Sequence, residues 1–291
     1  MVTVETRLIS LLGYPLKQTF APMLFNETFR RLGMDYFYFP VEVKEDKLGV
    51  VLNGLKHMNY AGFNVTKPNK IKVIEYLDEL DETAEKIGSV NVVTLKDGRL
   101  KGYNTDGAGF VQALLAETGV VLRETTFFVF GAGGAARAVC FTLAQEGAKK
   151  IFIVDKINDA STSLAGDINS RAGAGKCAVD VPFGDYPFVP YLEQSDVLIN
   201  ASGVGMYPYT GETPLEKKYL RKEMLVCDLT YNPLKTRLLV EAEELGCKIM
   251  NGIGMVVNQA VKGFNLLTGR GEPYEIMKEA MDKILSSAKS G

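Results

Sequence analysis

The 291-residue sequence has no tryptophan, a single histidine and only four cysteines. The histidine, His57, lies near the end of a predicted helix and is read as structural or surface, which disfavours histidine catalysis and a histidine-bound metal. Cys140, Cys177, Cys227 and Cys247 are widely spaced and form no CxxC pair. We expect buried thiols in a reducing compartment rather than disulfides or metal ligands, so no metal site is predicted.

Basic residues are not in excess, since 33 Lys+Arg stand against 35 Asp+Glu for a formal net charge of −2. Without a basic surplus to neutralise phosphates, a nucleic acid is not expected as the partner. The longest apolar runs are interrupted by glycine and are too short to span a bilayer. The first residues show no cationic segment leading into a long apolar one. We therefore expect a cytoplasmic protein with no membrane partner.

Strand-like apolar runs alternate with segments of helical periodicity along the whole chain, which predicts an α/β fold. The first part includes one long predicted helix at 71–88 and a predicted hairpin that turns at Asp97-Gly98. The second part repeats strand, turn, helix and strand, as parallel sheets do. We predict one α/β domain at 1–107, another at 108–252, and final helices at 253–291 that pack on the first.

A glycine-rich turn follows a predicted buried strand and opens a predicted helix. Its Gly131, Gly133 and Ala136 match the pattern GxGxxA. Small residues at these positions permit a tight turn, let main-chain amides approach a pyrophosphate, and let helix and strand pack closely. The second domain is therefore predicted to be a Rossmann-type dinucleotide-binding domain. The alternative is a turn that serves strand–helix packing alone.

An acid at the end of the next predicted strand bears on the choice of cofactor. Asp155 lies at the separation where a carboxylate accepts hydrogen bonds from an adenosine ribose and repels a 2′-phosphate. This favours NAD as the cofactor. Lys156 and Arg137 keep NADP open, because either side chain is long enough to contact a phosphate. Asp155 as a cap for the following helix is the structural alternative.

Two polar segments, NVTKPNK at 64–70 and NTDG at 104–107, end extended segments of the first domain. Ligands bind at the carboxyl ends of strands in open α/β sheets. A pair formed by Lys70 and Asp106 is suited to proton exchange with an alcohol or carbonyl oxygen during hydride transfer, with the carboxylate orienting the amine. A solvated charge at Lys70 and a helix cap at Asp106 are the alternatives that the residues alone leave open.

Eight segments in chain order resemble the shikimate/quinate dehydrogenase family and cover nearly the whole chain. They are GYPLKQTFAP, GFNVTKPNK, IGSVNVV, GYNTDGAGF, GAGGAARA, NASGVGM, LTYNP and NGIGMVVNQA. The resemblance implies a two-domain monomer or homodimer with a small-molecule substrate. It also implies hydride transfer with NAD or NADP that interconverts shikimate, quinate or an analogue with the 3-dehydro form.

The resemblance also assigns roles to residues. The catalytic pair is Lys70 and Asp106. The substrate-binding positions are Thr19, Asn64, Thr66, Asn91, Tyr231 and Gln259. The cofactor-binding positions are Gly131, Ala132, Gly133, Gly134, Ala135, Asp155, Lys156, Asn200, Ser202, Gly205, Gly252 and Met255.

One motif departs from the family, which carries two serines that grip the ring carboxylate. Here the segment reads Gln18-Thr19-Phe20-Ala21-Pro22, so Thr19 keeps one hydroxyl and Ala21 has none. A lost hydrogen bond to a charged group costs about 1.5–3 kcal/mol. In one interpretation Tyr14, Lys17 or Tyr231 helps to hold the carboxylate. In a second interpretation the substrate is quinate or an amino-substituted analogue. Two further alternatives concern the function: the protein is a ligand sensor with little turnover, or it is another two-domain NAD enzyme, such as a folate-linked dehydrogenase.

Overall fold

The chain folds into two α/β units, each built on a six-stranded sheet. The computed structural model describes residues 2–17, 19–184 and 187–288. The strands are β1 Arg7–Gly13, β2 Tyr36–Glu42, β3 Tyr60–Val65, β4 Glu79–Leu80, β5 Val92–Lys96, β6 Arg99–Tyr103, β7 Thr126–Phe130, β8 Lys150–Val154, β9 Ala178–Asp180, β10 Val197–Asn200, β11 Leu225–Asp228 and β12 Lys248–Met250. The helices are α1 Ala21–Arg31, α2 Leu48–Leu55, α3 Asn69–Lys72, α4 Glu82–Ile87, α5 Asp106–Thr118, α6 Gly134–Gln145, α7 Asn158–Arg171, α8 Val189–Glu193, α9 Arg237–Glu244, α10 Ile253–Thr268 and α11 Tyr274–Ala288.

Contacts in space group residues 1–105 with residues 257–291 as the first unit, and residues 106–256 form the second. The α/β fold class predicted from the sequence is confirmed in both units. The division at 107 and 252 into folding domains stays a prediction. In the part of the chain that the structure describes, none of the helices has both the length and the apolar character needed to cross a bilayer.

The sheet of the first unit mixes parallel and antiparallel strands in the order β2-β1-β3-β5-β6-β4. Parallel β1, β2 and β3 come from the alternating strands and helices at the start of the chain. Strands β5 and β6 form the predicted hairpin, and Asp97 (φ 51°) and Gly98 (φ 75°) make its turn in the left-handed region that such two-residue turns need. Helix α11 packs against α1, with an ion pair of 2.8 Å between Arg31 and Glu279.

The single helix predicted at 71–88 is wrong, because this segment breaks into several short elements. A 3₁₀ turn, Val73–Tyr76, follows α3, and then β4 pairs in parallel with β6 before α4 begins. Two aspartates interrupt the helix by taking main-chain amides. Asp78 accepts from Leu100 N at 2.7 Å, and the extended Asp81 caps α4 by accepting from Ala84 N at 2.9 Å. Helical periodicity alone did not reveal this competition.

The sheet of the second unit is entirely parallel, in the order β12-β11-β10-β7-β8-β9. Chain order reverses between β7 and β10, as it does in the dinucleotide-binding Rossmann fold, and this reversal opens a crevice at the carboxyl ends of the strands. The five-residue strand β7 is buried along its length, and the side chains of Phe128 and Phe130 contribute to a core with Leu198 and Val226. The predicted Rossmann-type arrangement is confirmed.

The outer side of edge strand β2 is closed by one asparagine. The main-chain groups of the odd-numbered residues of β2 form hydrogen bonds with β1, as the 2.8 Å hydrogen bond from Val43 N to Gly13 O indicates. The main-chain N–H and C=O of Tyr38, an even-numbered residue, therefore point away from β1. Asn26 of α1 accepts from Tyr38 N through Oδ1 at 2.9 Å and donates to Tyr38 O through Nδ2 at 2.7 Å. Pro40, also facing outwards, has no N–H to offer. At this part of the edge, a further strand would meet the already bonded main-chain groups of Tyr38 and no N–H at Pro40.

Edge strand β9 in the second unit is closed in the same way. The hydrogen bond of 2.8 Å from Val181 N to Ile153 O shows that the main-chain groups of the odd-numbered residues point towards β8. The main-chain N–H and C=O of Ala178 therefore point away from β8. Asn169 of α7 accepts from Ala178 N at 3.0 Å and donates to Ala178 O at 2.8 Å. An asparagine amide carries one acceptor and a donor group, so it replaces the peptide group of a missing neighbour strand.

Removing either amide is expected to destabilise its sheet edge. In Asn26→Ala and Asn169→Ala, two main-chain groups lose their partners, so the free energy of unfolding should fall by about 1–3 kcal/mol. Urea denaturation measures the loss, and light scattering at high protein concentration should show increased self-association. The control is Asn53→Ala, at an exposed position of α2. Equal unfolding free energies in all three variants would contradict the closing role.

Candidate functional site

Two loops that carry predicted site residues lie side by side at the end of β1. Tyr14 N donates to Lys67 O at 3.0 Å, and Thr66 N donates to Leu12 O at 2.9 Å. A side-chain carbon at Gly13 would collide with Thr66 and with the carbonyl of Lys67, so glycine is what allows this approach. The segment after β1 is therefore fixed against the segment 66–70.

The predicted catalytic lysine sits in a turn that is held by its main chain. Lys70 is the second residue of α3 and is half-buried. Its carbonyl accepts from Val90 N at 2.8 Å. The preceding Asn69 is fully buried and donates to Val43 O at 2.8 Å. The backbone of Lys70 is thereby anchored to Val90, the residue that precedes Asn91.

Three of the predicted substrate-binding residues are joined by hydrogen bonds in the first unit. Asn64 accepts from Tyr38 Oη at 3.0 Å and donates to Asn91 O at 3.2 Å. Asn91 Nδ2 donates to Thr105 Oγ1 at 2.9 Å and to Gln259 Oε1 at 3.2 Å. Thr105 N donates to Asn91 Oδ1 at 2.8 Å, and Thr105 Oγ1 donates to Gln259 O at 3.1 Å. We call these five residues the amide network.

The predicted catalytic aspartate follows the amide network directly in the chain. Asp106 comes immediately after Thr105, begins α5 of the second unit and is 4% exposed. Within that unit, a side-chain carbon at Gly107 would collide with Thr142 and with the carbonyl of Ala138 in α6. Helix α5 therefore packs closely on α6 from its first turn, which restricts the backbone at Asp106.

The segment that departs from the family pattern forms the start of α1. Thr19 Oγ1 accepts from Ala21 N, two residues further on, at 3.2 Å, and Thr19 lies outside the amide network. Ala21 is half-buried and Lys17 is exposed. Tyr14 is 43% exposed, and Lys44 Nζ lies 5.0 Å from its ring centre. Gln18 lies outside the described residues. Thr66, like Thr19, is half-buried and outside the network.

The predicted glycine turn adopts a geometry that suits a pyrophosphate. Gly131 has φ 109°, a conformation that favours glycine, and a side-chain carbon there would lie 2.8 Å from Ala201 O. Ala136 is fully buried where α6 packs on the sheet. Gly133 precedes α6, no side chain caps that helix, and a side-chain carbon at Gly133 would meet open space. The first turn of α6 thus directs its amides to an accessible region, which fits an anionic group.

The remaining residues of the turn continue it into the helix. Ala132 is buried, Gly134 is the first residue of α6, and Ala135 is half-buried in its first turn. Ala132 N donates to Asp155 Oδ2 at 2.8 Å. Because Asp155 Oδ1 also accepts from Ile157 N at 2.9 Å, this carboxylate joins the glycine turn to the segment after β8. It lies where the ribose partner of a dinucleotide is expected.

Arg137 and Lys156 are the two basic residues predicted as candidates for binding a 2′-phosphate. Arg137 Nη2 forms a bond of 2.6 Å with Asp167 Oδ2, and the Arg137 side chain is only 12% exposed. Its guanidinium is therefore paired with a carboxylate of α7. Lys156 is exposed.

The loop after β10 is folded around the side chain of Asn200. Asn200 Nδ2 donates to Val204 O at 3.0 Å, and its Oδ1 accepts from Ser202 Oγ at 2.6 Å and from Ser202 N at 3.2 Å. Gly205 is buried at φ 87°. Exposed Ser202 and the main chain are thus the parts of 200–205 presented outwards. We call residues 200–205 the asparagine loop.

The last predicted positions follow β11 and β12 in the same unit. Tyr231 is half-buried beside Thr230, whose carbonyl accepts from Gly252 N at 3.0 Å. A side-chain carbon at Gly252 would collide with the carbonyl of Leu229. Met255 is 7% exposed in the first turn of α10. The binding and catalytic roles assigned to all these positions stay predictions.

Sequence reasoning missed three residues that organise these regions. Tyr38 and Thr105 belong to the amide network, and Asp228 bonds to the asparagine loop. Thr105 lies inside the quoted NTDG segment, and a polar residue that ends an apolar strand marked Asp228. The alternation of β2 gave no sign that the hydroxyl of Tyr38 has a buried partner.

The cysteines and the histidine take no part in a cluster. All four cysteines are free and buried, and burial raises the pKa of the Cys140 and Cys227 thiols. His57 is exposed just after α2. Within the described ranges, no three His, Cys, Asp or Glu side chains group as metal ligands would.

The parallel sheet, glycine turn and acid of one unit, and the buried polar network of the other, define a two-unit NAD(P)-dependent oxidoreductase. A family model described as the shikimate dehydrogenase substrate binding domain matches residues 11–93. Shikimate dehydrogenase (NADP(+)) of Alkaliphilus metalliredigens is 41% identical over 274 residues, which are 94% of this chain and 95% of that protein. The chain belongs to the shikimate dehydrogenase family, as the motifs predicted.

Solved structures agree with this assignment. Shikimate 5-dehydrogenase from Listeria monocytogenes, in complex with shikimate and NAD, is 38% identical with a TM-score of 0.83, and the match covers 96% of this chain and 98% of that one. Quinate dehydrogenase from Corynebacterium glutamicum, in complex with NAD, is 28% identical with a TM-score of 0.85 and coverage of 96% and 99%. The prediction of a dehydrogenase of this family is confirmed.

Proposed function

We propose that this protein interconverts a shikimate- or quinate-type cyclic hydroxy acid and its 3-dehydro form by hydride transfer with NAD(P). The observation that carries the proposal is the amide network, which brings Asn64, Asn91 and Gln259 together. Amide and hydroxyl groups that hold one another in place offer donors and acceptors at fixed positions, as recognition of several ring hydroxyls requires. The relatives named shikimate dehydrogenase support this substrate class.

The proposed chemistry assigns a proton to Lys70 and an orienting role to Asp106. In oxidation, the amine of Lys70 accepts the proton of the reacting hydroxyl while the carbon gives up its hydrogen as hydride. In reduction, the ammonium of Lys70 returns a proton to the former carbonyl oxygen. The carboxylate of Asp106 orients the lysine and stabilises its charged form. When bound, the nicotinamide supplies or takes up the hydride.

Removing the lysine amine is expected to abolish most turnover. In Lys70→Ala, kcat should fall by roughly 10²–10⁴-fold because no other group replaces the proton exchange. Asp106→Asn should lower kcat as well, since the amide cannot balance the ammonium. Absorbance at 340 nm with shikimate and with quinate, each with NAD and NADP, measures the rates.

The matched control is Lys72→Ala in the same short helix, where the lysine pairs with Glu75 at 2.7 Å and is solvent-accessible. Its kcat should stay near that of the wild type. A Lys70→Ala variant with wild-type kcat would rule out the proton role. A wild-type protein that binds shikimate or quinate without turnover would instead favour the ligand-sensing alternative.

For the cofactor, we propose a preference for NAD over NADP. Support comes from Asp155, whose carboxylate is fixed beside the glycine turn by Ala132 N and Ile157 N, and from the commitment of Arg137 to Asp167. A fixed negative charge repels a 2′-phosphate and accepts hydrogen bonds from a ribose. The relatives named for NADP(+) make this a point at which the chain is proposed to differ from them.

Neutralising the acid should therefore shift cofactor choice. Asp155→Asn keeps the shape and removes the charge, so the ratio of kcat/KM with NADP to kcat/KM with NAD should rise at least about tenfold. Steady-state kinetics with both cofactors gives the ratio. Asp159→Asn, at an exposed position in the first turn of α7, is the charge-matched control. An unchanged ratio in Asp155→Asn would contradict the ribose assignment.

The altered segment at the start of α1 bears on which acid is the substrate. Thr19 Oγ1 accepts a hydrogen bond from Ala21 N, and Ala21 has no hydroxyl. A ring carboxylate thus meets fewer side-chain donors here than the two serines of the family provide. Quinate, with its additional hydroxyl, an amino-substituted analogue, and a carboxylate held by Tyr14, Lys17 or Tyr231 are the candidate solutions.

Restoring the missing hydroxyl distinguishes these solutions. If the carboxylate lies against this segment, Ala21→Ser should lower the KM for shikimate by roughly tenfold, because a hydrogen bond to a charged group is worth about 1.5–3 kcal/mol. Ala21→Val adds volume without a donor and serves as the control. A KM that stays the same in Ala21→Ser would show that the carboxylate is held elsewhere.

A further inference from the structure

A buried carboxylate at the end of β11 accepts hydrogen bonds from three separate segments of the second unit. Asp228 is the last residue of β11 and is 1% exposed. Its Oδ2 accepts from Asn200 Nδ2 at 2.9 Å and from Thr236 Oγ1 at 2.8 Å, and its Oδ1 accepts from Thr230 N at 2.9 Å. Burial raises the pKa of this carboxyl, and the donors act in the opposite direction.

The first of these segments is the asparagine loop. Asn200 Nδ2 divides its donor capacity between Asp228 and Val204 O, and Asn200 Oδ1 takes both polar groups of Ser202. The carboxylate accepts only from the nitrogen, so it fixes which way the amide points. If the amide turned over, its nitrogen would face the donors of Ser202 and the loop would lose its internal bonds.

The asparagine loop in turn lies against the glycine turn. Ala201 N donates to Phe130 O at 2.8 Å, and a side-chain carbon at Gly131 would lie 2.9 Å from Ser202 N. A shift of this loop therefore changes the walls of the region that the amides of α6 face.

The second segment leads to the residues after β11 and β12. Thr230 is fixed by Asp228 through its N–H, and its carbonyl accepts from Gly252 N at 3.0 Å. The third segment is the start of α9, where Thr236 also caps the helix by accepting from Leu239 N at 3.4 Å. One carboxylate thus connects the asparagine loop, the residue before Tyr231 and the loop at Gly252.

We propose that Asp228 is a positioning residue for the reaction: its carboxylate holds the asparagine loop and the 230–231 and 252–255 segments in the arrangement that receives the cofactor. This inference rests on the proposed function for the roles of those segments. Asp228 acts through Asn200 and Thr230. Its carboxylate, unlike an amide, accepts from two side-chain donors and a main-chain donor at once.

The variant Asp228→Asn separates the branches. Its amide oxygen can still accept from Thr230 N and its nitrogen can donate to Thr236 Oγ1, but the nitrogen opposes the donor of Asn200. Hydrogen–deuterium exchange in 200–205 should become faster in the ligand-free protein. The dissociation constant for NADH, measured by NADH fluorescence, should rise roughly 10- to 100-fold, the scale on which a displaced wall weakens a site. The KM for the hydroxy acid should change far less, because the Thr230 branch is kept.

A double variant tests whether the pairing itself matters. In Asn200→Asp with Asp228→Asn, the amide at 228 donates to the new carboxylate, which still accepts from Ser202 but no longer donates to Val204 O. Exchange in 200–205 and NADH affinity should therefore recover part of the loss seen in Asp228→Asn if the pair sets the loop. The control is Asp196→Asn, because Asp196 accepts from Thr126 N at 2.8 Å at the opposite end of the same sheet. It should leave exchange in 200–205 and NADH affinity unchanged.

Wild-type exchange and NADH affinity in Asp228→Asn would overturn the inference. So would an equal loss in Asp196→Asn, or a double variant as poor as Asp228→Asn alone, because either result indicates only a general effect on folding. A wild-type protein that binds NADH but turns over no cyclic hydroxy acid would refute the proposed function. Exchange and NADH affinity need no turnover, and they would still decide the role of Asp228.

Discussion

The buried hydrogen bonds of Asn91 are the interaction on which the predicted substrate site depends. They join the residue before β5 to Thr105 and to Gln259, 168 positions further along the chain. Asn91 is 3% exposed and Thr105 5%, so each polar group left without a partner there would cost about 1–3 kcal/mol. Because all partners must be present together, the network specifies one arrangement of β3, β5 and the middle of α10.

Asparagine is used repeatedly in this molecule to satisfy main-chain groups that no strand or helix reaches. Asn26 and Asn169 each bond to one edge strand of their sheets, Asn69 holds the turn of Lys70, and Asn200 shapes the loop after β10. The side-chain amide has the same donor and acceptor groups as a peptide on a short stem, so it replaces a missing peptide neighbour with little loss of conformational entropy. The loops that carry the predicted site residues are thus fixed by side chains, while the sheets supply the framework.

Local signals were enough to predict the framework. The Asp97-Gly98 hairpin, the glycine turn at 131–136 and the parallel strands of the second unit depend on short-range rules of backbone conformation and burial, and the structure agrees with them. The segment 71–88 was mispredicted because Asp78 and Asp81 take amides, one of them from β6, which helical periodicity does not report. The joining of Asn64 to Asn91 and Gln259 depends on contacts between distant positions, and only the family motifs indicated it. The place of Asp228 at the end of an apolar strand marked the residue, but it gave no sign of its partners Asn200 and Thr236.

A crystal structure with NAD and a shikimate-type hydroxy acid bound tests the central claim most directly. We expect ring hydroxyls within about 3.2 Å of the side chains of Asn64, Asn91 or Gln259, and the reacting oxygen at the same distance from Lys70 Nζ. We also expect the hydrogen bonds between Asn91 and Thr105 to persist. A ligand bound away from the amide network, with Lys70 making no contact with it, would refute the proposed substrate site.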